Sequence, residues 1–132
     1  MSHKNDTFFT VIGCMDGRVQ SIMAEFGRNK FGAKYPDTIT EAGIVGLIAN
    51  NPRPAFVENL KFKLSVSIEK HHSKGILIDG HQECAGNPVE DVKHKLDINT
   101  SVDFIKKLID NAVPVVGVFV ANENGEWKAS EI

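Results

Sequence analysis

Apolar residues in this chain come in short blocks, separated by polar stretches rich in glycine and proline. Phe8-Phe9-Thr10-Val11-Ile12-Gly13 is aromatic and β-branched and stops at a glycine, which predicts a buried strand. From Gly27 to Asp37 the apolar pattern breaks up among glycines, basic residues and Pro36, which predicts a loop. Thr38-Ile39-Thr40 predicts a short second strand, and Glu41-Ala42-Gly43 opens a turn region. Pro52 and Pro54 suit the beginning of a helix, where a missing N–H costs little. The stretch Ala55 to His72 fits two periods at once. Val57, Leu60, Leu64 and Ile68 recur at helical spacing, while Leu60, Phe62, Leu64, Val66 and Ile68 also alternate with polar residues. Its length, and the need for a crossover between parallel strands, favour the helix. Lys70, His71 and His72 suit the negative end of the helix dipole, and Gly75 stops it.

Gly75-Ile76-Leu77-Ile78-Asp79-Gly80 predicts a strand covered on both faces. After Pro88, Val89 to Leu96 predicts a short helix. Thr100 or Ser101 begins a clearer one with Val102, Ile105, Leu108 and Ile109 on one face. Val113 to Ala121 predicts the last central strand, and Asn122-Glu123-Asn124-Gly125 a turn into a short edge strand through Trp127. The alternation implies an α/β fold: a single domain with a central, mostly parallel β-sheet flanked by helices.

The remaining bulk properties exclude more than they assign. A chain of 132 residues with 42% hydrophobic and 24% charged positions has room for one core and no second full domain. A formal net charge of -2 predicts no strongly basic face for nucleic acid or anionic lipid. The longest apolar run, Val113 to Ala121, is too short to span a membrane and contains Pro114 and Gly117. The polar start from Met1 to Asp6 lacks the apolar stretch of a secretory signal, so a cytoplasmic location is expected. The two cysteines, Cys14 and Cys84, are accordingly expected as free thiols.

Two predicted strands end in a glycine followed at once by a soft metal ligand, Gly13-Cys14 and Gly80-His81. Cys84 follows three positions after His81. Ligands of an open parallel sheet gather beyond the carboxyl ends of its strands, so these distant segments are candidates for one site. Two thiolates and one imidazole are a ligand set of catalytic zinc, with the fourth tetrahedral position left for water. The competing reading is two small buried cysteines with no metal.

Cys14-Met15-Asp16-Gly17-Arg18 and Gly80-His81-Gln82-Glu83-Cys84-Ala85-Gly86 together resemble the paired signatures of the β-class carbonic anhydrases, C-x-D-x-R and H-x-x-C-x-G. The resemblance implies zinc held by Cys14, His81 and Cys84, and reversible hydration of carbon dioxide to bicarbonate by a zinc-bound hydroxide. It implies that Asp16 accepts the hydroxide's proton and that Arg18 fixes Asp16 by a bidentate ion pair. It further implies a homodimer with the active site at the interface and carbon dioxide or bicarbonate as small-molecule partner. Neither nucleic acid nor membrane is expected as a partner. A related zinc hydrolase of carbonyl sulfide or carbon disulfide, and a zinc-binding protein without turnover, are the alternatives. Thr40-Glu41-Ala42-Gly43-Ile44 stands where the family has R-N-A-G-N, so a carboxylate replaces an arginine and two asparagines. The chain begins almost at its first strand, without the family's N-terminal helical arm, and is shorter between Cys84 and the last strand.

Other chemistries fit poorly. A phosphatase-like loop would place an arginine six positions after Cys14, where Gln20 stands, and there is no C-x-x-C pair, G-x-G-x-x-G or Walker loop. His71 and His72 are expected as a solvated helix end. His94 and Glu83 are expected as exposed loop residues that could serve as relay or support, and Tyr35 and Trp127 as packing residues.

Overall fold

The computed structural model describes residues 5–132, so the polar start from Met1 to Lys4 lies outside the described residues. Strand β1 (Phe8–Cys14) leads through Asp16 into helix α1 (Gly17–Phe31), and β2 (Tyr35–Glu41) follows. Helices α2 (Ile44–Ala49) and α3 (Pro54–Ser65) come next, and α3 runs into a π-helical turn at Val66–Lys70. Then come β3 (Ile76–His81), α4 (Asp91–Leu108), β4 (Val115–Glu123) and β5 (Glu126–Glu131). The sheet order is β2-β1-β3-β4-β5. The first four strands are parallel, with Phe8 opposite Tyr35, Thr10 opposite Ile76 and Gly80 opposite Phe119. β5 closes one edge as an antiparallel hairpin partner, with Trp127 opposite Asn122.

The pleat divides the core in two. Phe9 and Val11 of β1, Leu77 of β3, and Val118 and Val120 of β4 pack against Val19 and Met23 of α1. The alternate positions Ile12, Ile76, Ile78 and Phe119 pack against α2, α3 and α4 through Ile44, Ile48, Leu60, Leu64, Ile98 and Ile105. Covering both faces explains why β3 is buried along its whole length. No helix among the described residues is long and apolar enough to cross a membrane.

The expected α/β sheet is present, with three local corrections. The segment expected as a loop from Gly27 to Asp37 is the last turns of α1 and the start of β2, joined only through Gly32-Ala33-Lys34. α1 begins at an Asp16 cap whose carboxylate accepts from the Arg18 N–H, and it ends at Gly32 in the left-handed conformation. The two helices expected at Val89–Leu96 and after Thr100 are one helix, α4. The helix expected from Ala55 to His72 forms, but its last turn is π-helical, and Ser67 turns inward there to donate to Asp37 Oδ2 at 2.7 Å.

Candidate metal centre

β1 ends at Cys14 and β3 at His81, so both side chains emerge at the carboxyl end of the parallel sheet. The turn after His81 then brings Cys84 back beneath Cys14. The ligand atoms of Cys14, His81 and Cys84 lie within 4.8 Å of one another, and the two sulfur atoms are 3.8 Å apart. All three residues are buried, His81 completely. Two glycines make this convergence sterically feasible. A side chain on Gly43 would place its Cβ 2.4 Å from the carbonyl carbon of Gly86, and one on Gly86 would meet Ala42 at 2.5 Å. With φ of 60°, Gly43 also points its N–H at the Cys14 sulfur, 3.4 Å away.

The donors are set up for a cation. His81 Nδ1–H donates to the Gln82 carbonyl at 2.6 Å, which leaves Nε2 carrying a lone pair. That Nε2 is buried and has no hydrogen-bond partner. A buried imidazole nitrogen left open beside two thiols is costly unless something binds it. Burial pushes the Cys14 thiol up, but the neighbouring His81 imidazole and the Gly43 N–H outweigh it and bring the group down to about 7. The same burial, followed by the nearby Cys14 charge, pushes Cys84 up. Burial disfavours a charged His81, yet the neighbouring Cys14 sulfur and the Gln82 carbonyl raise it overall. The three neighbouring groups thus favour different protonation states, Cys14 ionised and Cys84 and His81 protonated, and a metal that takes all three deprotonated replaces those protons with one shared cation. Zinc, which accepts sulfur and nitrogen in tetrahedral geometry, fits this donor set.

Asp16 stands beside the three. Its Oδ2 is 3.9 Å from His81 Nε2 and 2.7 Å from Arg18 Nη2, and Arg18 Nε also donates to both carboxylate oxygens at 3.1 and 3.3 Å. The Arg18 hydrogen bond holds the Asp16 carboxyl at about 2, well below the usual carboxylate range, and the same contact raises Arg18. Gln20 Nε2 donates to the carbonyls of Cys14 and Asp16, both at 2.8 Å, and so fixes the turn between them.

The structure therefore gathers all five residues singled out in the sequence. It also adds some that the motifs did not assign to the site. Glu83 is exposed, but its carboxylate accepts from Arg18 Nη1 and its carbonyl from Nη2, both at 3.1 Å. Trp127 packs under α1 as expected and also lies beneath the Arg18 guanidinium, 4.8 Å from the ring centre. Asp79 is buried behind Gly13, where its carboxylate accepts from the Cys14 N–H at 3.2 Å, and burial pushes it up to about 7. His94 is no exposed loop residue. It lies in α4, 2% exposed, with its ring 6.4 Å from that of His81 and its Nε2 without a partner; burial lowers it. Gly80 leaves the space that the His94 ring occupies, since a Cβ there would come within 2.7 Å of it. His71 is also more than a solvated end, since its Nδ1 pairs with Asp37 Oδ2 at 2.7 Å and its ring stacks on Phe8. Glu41, the departure from the family motif, ends β2 with its side chain exposed and its carbonyl accepting from the Met15 N–H.

A family profile described as "Putative carbonic anhydrase" matches residues 4–132, nearly the whole chain. The chain belongs to that family. Solved structures agree on the fold of this family member. It is similar to a β-carbonic anhydrase, isoform I, from Trichomonas vaginalis, at 18% identity and a TM-score of 0.54 over 95% of this chain and 82% of that one. Two tetrameric β-carbonic anhydrases of Sordaria macrospora are the subject of a second match, at 12% identity and a TM-score of 0.61, covering 95% and 81%. A carbonic anhydrase from Streptococcus mutans matches at 14% identity and a TM-score of 0.57, covering 98% and 86%. No curated protein sequence matches.

Proposed function

We propose that this carbonic anhydrase family member is a zinc enzyme that interconverts carbon dioxide and bicarbonate, with the metal held by Cys14, His81 and Cys84. The observation that carries the reading is the open, fully buried Nε2 of His81, facing two thiols 3.8 Å apart. Zinc held there supplies a nucleophile from water near neutral pH and a positive charge for the substrate oxygen. The chain's own groups do the rest. Asp16 is ionised at any working pH, so its carboxylate acts only as an acceptor, and it directs the proton of the attacking water away from the substrate carbon. Arg18 fixes both carboxylate oxygens and keeps that acceptor charged. Asp16 and Arg18 are thus the residues we assign to catalysis, and the Gly43 N–H supports the Cys14 thiolate.

A reducing compartment such as the cytoplasm keeps the two sulfurs available to the metal. We also assign a homodimer. Met15, Leu47, Val92 and Leu96 are large apolar side chains left exposed, and relatives of the same fold include tetramers. A sedimentation mass of one chain would contradict the dimer.

The deciding experiment is stopped-flow carbon dioxide hydration by zinc-loaded protein, with zinc content measured in parallel. Wild type should carry about one zinc per chain and be active. Cys84→Ser should lose metal and turnover, and Asp16→Asn should lose turnover while keeping metal. Zinc retained without hydration between pH 6 and 9 would overturn the reaction, and a parallel carbonyl sulfide assay would then separate a hydrolase from a protein without turnover. Failure to take up zinc at all would overturn the metal assignment itself.

A further inference from the structure

Arg18 is held on every side. One edge of its guanidinium lies on Asp16 and the next on Glu83, while its face lies over Trp127. Glu83 contributes two acceptors from a single residue, its carboxylate to Nη1 and its main-chain carbonyl to Nη2. It can do so because its backbone is left-handed, with φ of 56°, a conformation that a side chain with a Cβ adopts only at a cost. Nothing else in the turn from His81 to Cys84 requires a glutamate at this position. The left-handed turn that brings Cys84 back beneath Cys14 thus also aims the Glu83 carbonyl at Arg18, and the Glu83 carboxylate adds the contact to Nη1.

An isolated exposed ion pair would carry little weight. This one differs in that it links the two loops of the candidate centre, since Arg18 follows Cys14 and Glu83 lies between His81 and Cys84. With the Glu83 side chain removed, the guanidinium would keep its Asp16 edge and the main-chain carbonyl at position 83 but lose the carboxylate that holds Nη1. The Asp16 Oδ2 would then turn with it, because its hydrogen bonds come from the Arg18 side chain, while Oδ1 stays on the Arg18 N–H of the helix cap. Resting on the zinc reading above, we propose that Glu83 is a positioning residue that clamps Arg18 against Trp127 and thereby fixes the Asp16 carboxylate beside His81.

Trp127 is the only tryptophan of the chain, so its emission reports the position of the Arg18 charge directly. The test compares zinc-loaded wild type, Glu83→Gln, Glu83→Gly and Arg18→Ala by emission spectrum without substrate, then by kcat and KM. Glycine suits the left-handed position, so Glu83→Gly is expected to fold at least as well as wild type, which a melting curve checks. The emission maximum of Glu83→Gly should move at least half-way to that of Arg18→Ala, with Glu83→Gln between. kcat should fall by about threefold to tenfold with KM unchanged, since Glu83 acts through Arg18 and not on substrate. A wild-type spectrum in Glu83→Gly would overturn the clamp. A shifted spectrum with unaltered kcat would overturn its link to Asp16. The emission readings need no turnover, so an inactive but zinc-loaded protein would sink the proposed reaction while leaving the clamp to be judged on its spectrum.

Discussion

Two clusters of buried polar side chains lie on the same sheet and follow opposite rules. Below the middle of β1, Thr10 Oγ1 lies 2.7 Å from Ser67 Oγ and 2.8 Å from Ser73 Oγ, with one hydroxyl proton to share between them, and Ser67 and His71 both pair with Asp37. Ser73 closes the chain on the Gly75 carbonyl. At the carboxyl end of β1, the cluster of Cys14, His81, Cys84 and His94 contains both of the buried side-chain atoms left without a partner among the described residues. A polar cluster that satisfies itself stabilises the fold. A cluster that holds a lone pair open at the end of a rigid strand is prepared for something else to complete it.

That contrast can be broken most sharply at His81. His81→Ala should lower zinc affinity by at least about a hundredfold, measured by competition with a chromogenic chelator, because a ligand weighs more than its supporting contacts. In the metal-free protein the same change should cost only the buried ring's packing and its Gln82 hydrogen bond, about 2–4 kcal/mol by urea unfolding, because the lost Nε2 had no partner; an unaltered zinc affinity would place His81 with the self-satisfied cluster. Asp79 gives the next largest effect, through pH. Its folded pKa, about 7, lies above its ordinary value of 3.8, so the folded state binds the extra proton. Its contribution is complete below pH 4 and is lost as pH rises through 7. Metal-free wild type should therefore lose about 2–3 kcal/mol between pH 5 and pH 8 relative to Asp79→Asn, read from urea unfolding. Parallel curves for the two proteins would show that Asp79 is already ionised when buried. The smallest effect belongs to the closed cluster, where Thr10→Val should cost about 1–2 kcal/mol of stability by removing the hydroxyl shared by Ser67 and Ser73, which keep Asp37 and the Gly75 carbonyl as acceptors. Zinc content should not change, and loss of zinc in that variant would mean that the two clusters are coupled.

The candidate metal ligands were legible because Cys14 and His81 end strands and Cys84 follows His81 in the same short motif. Glu83, Asp79 and His94 were not placed in the site, because what gives them meaning is a neighbour from a distant element. Helix α1 was missed for a related reason. Its buried face is Val19, Met23 and Gly27, and the glycine that reads as a chain breaker is a slot for the Phe9 ring, which a Cβ would meet at 1.9 Å. The capping pair Asp16 and Gly32 was the signal that could have found it. In α4 the apolar pattern is interrupted by residues that face inward for polar reasons. Asp97 is buried against Lys93 and Asn87, and Ser101 donates to the Val45 carbonyl, so one helix reads as two. The strand-like alternation from Leu60 to Ile68 gave way to length, as the helix and its π-helical end show, and Ser67 sits on the buried side because Asp37 and Thr10 receive it.

The back-to-back contact of Gly43 and Gly86 has a bearing on how this centre could be re-engineered. Where two main chains touch, the lining presented to a guest molecule is peptide and not side chain, and mutagenesis cannot recolour it. Changes meant to alter what the centre binds should therefore fall on its exposed neighbours, such as Met15 next to Cys14 and Glu41 at the end of β2, and leave the glycine pair as a fixed seam. A library that randomised the seam would return mostly proteins whose two halves of the centre no longer meet.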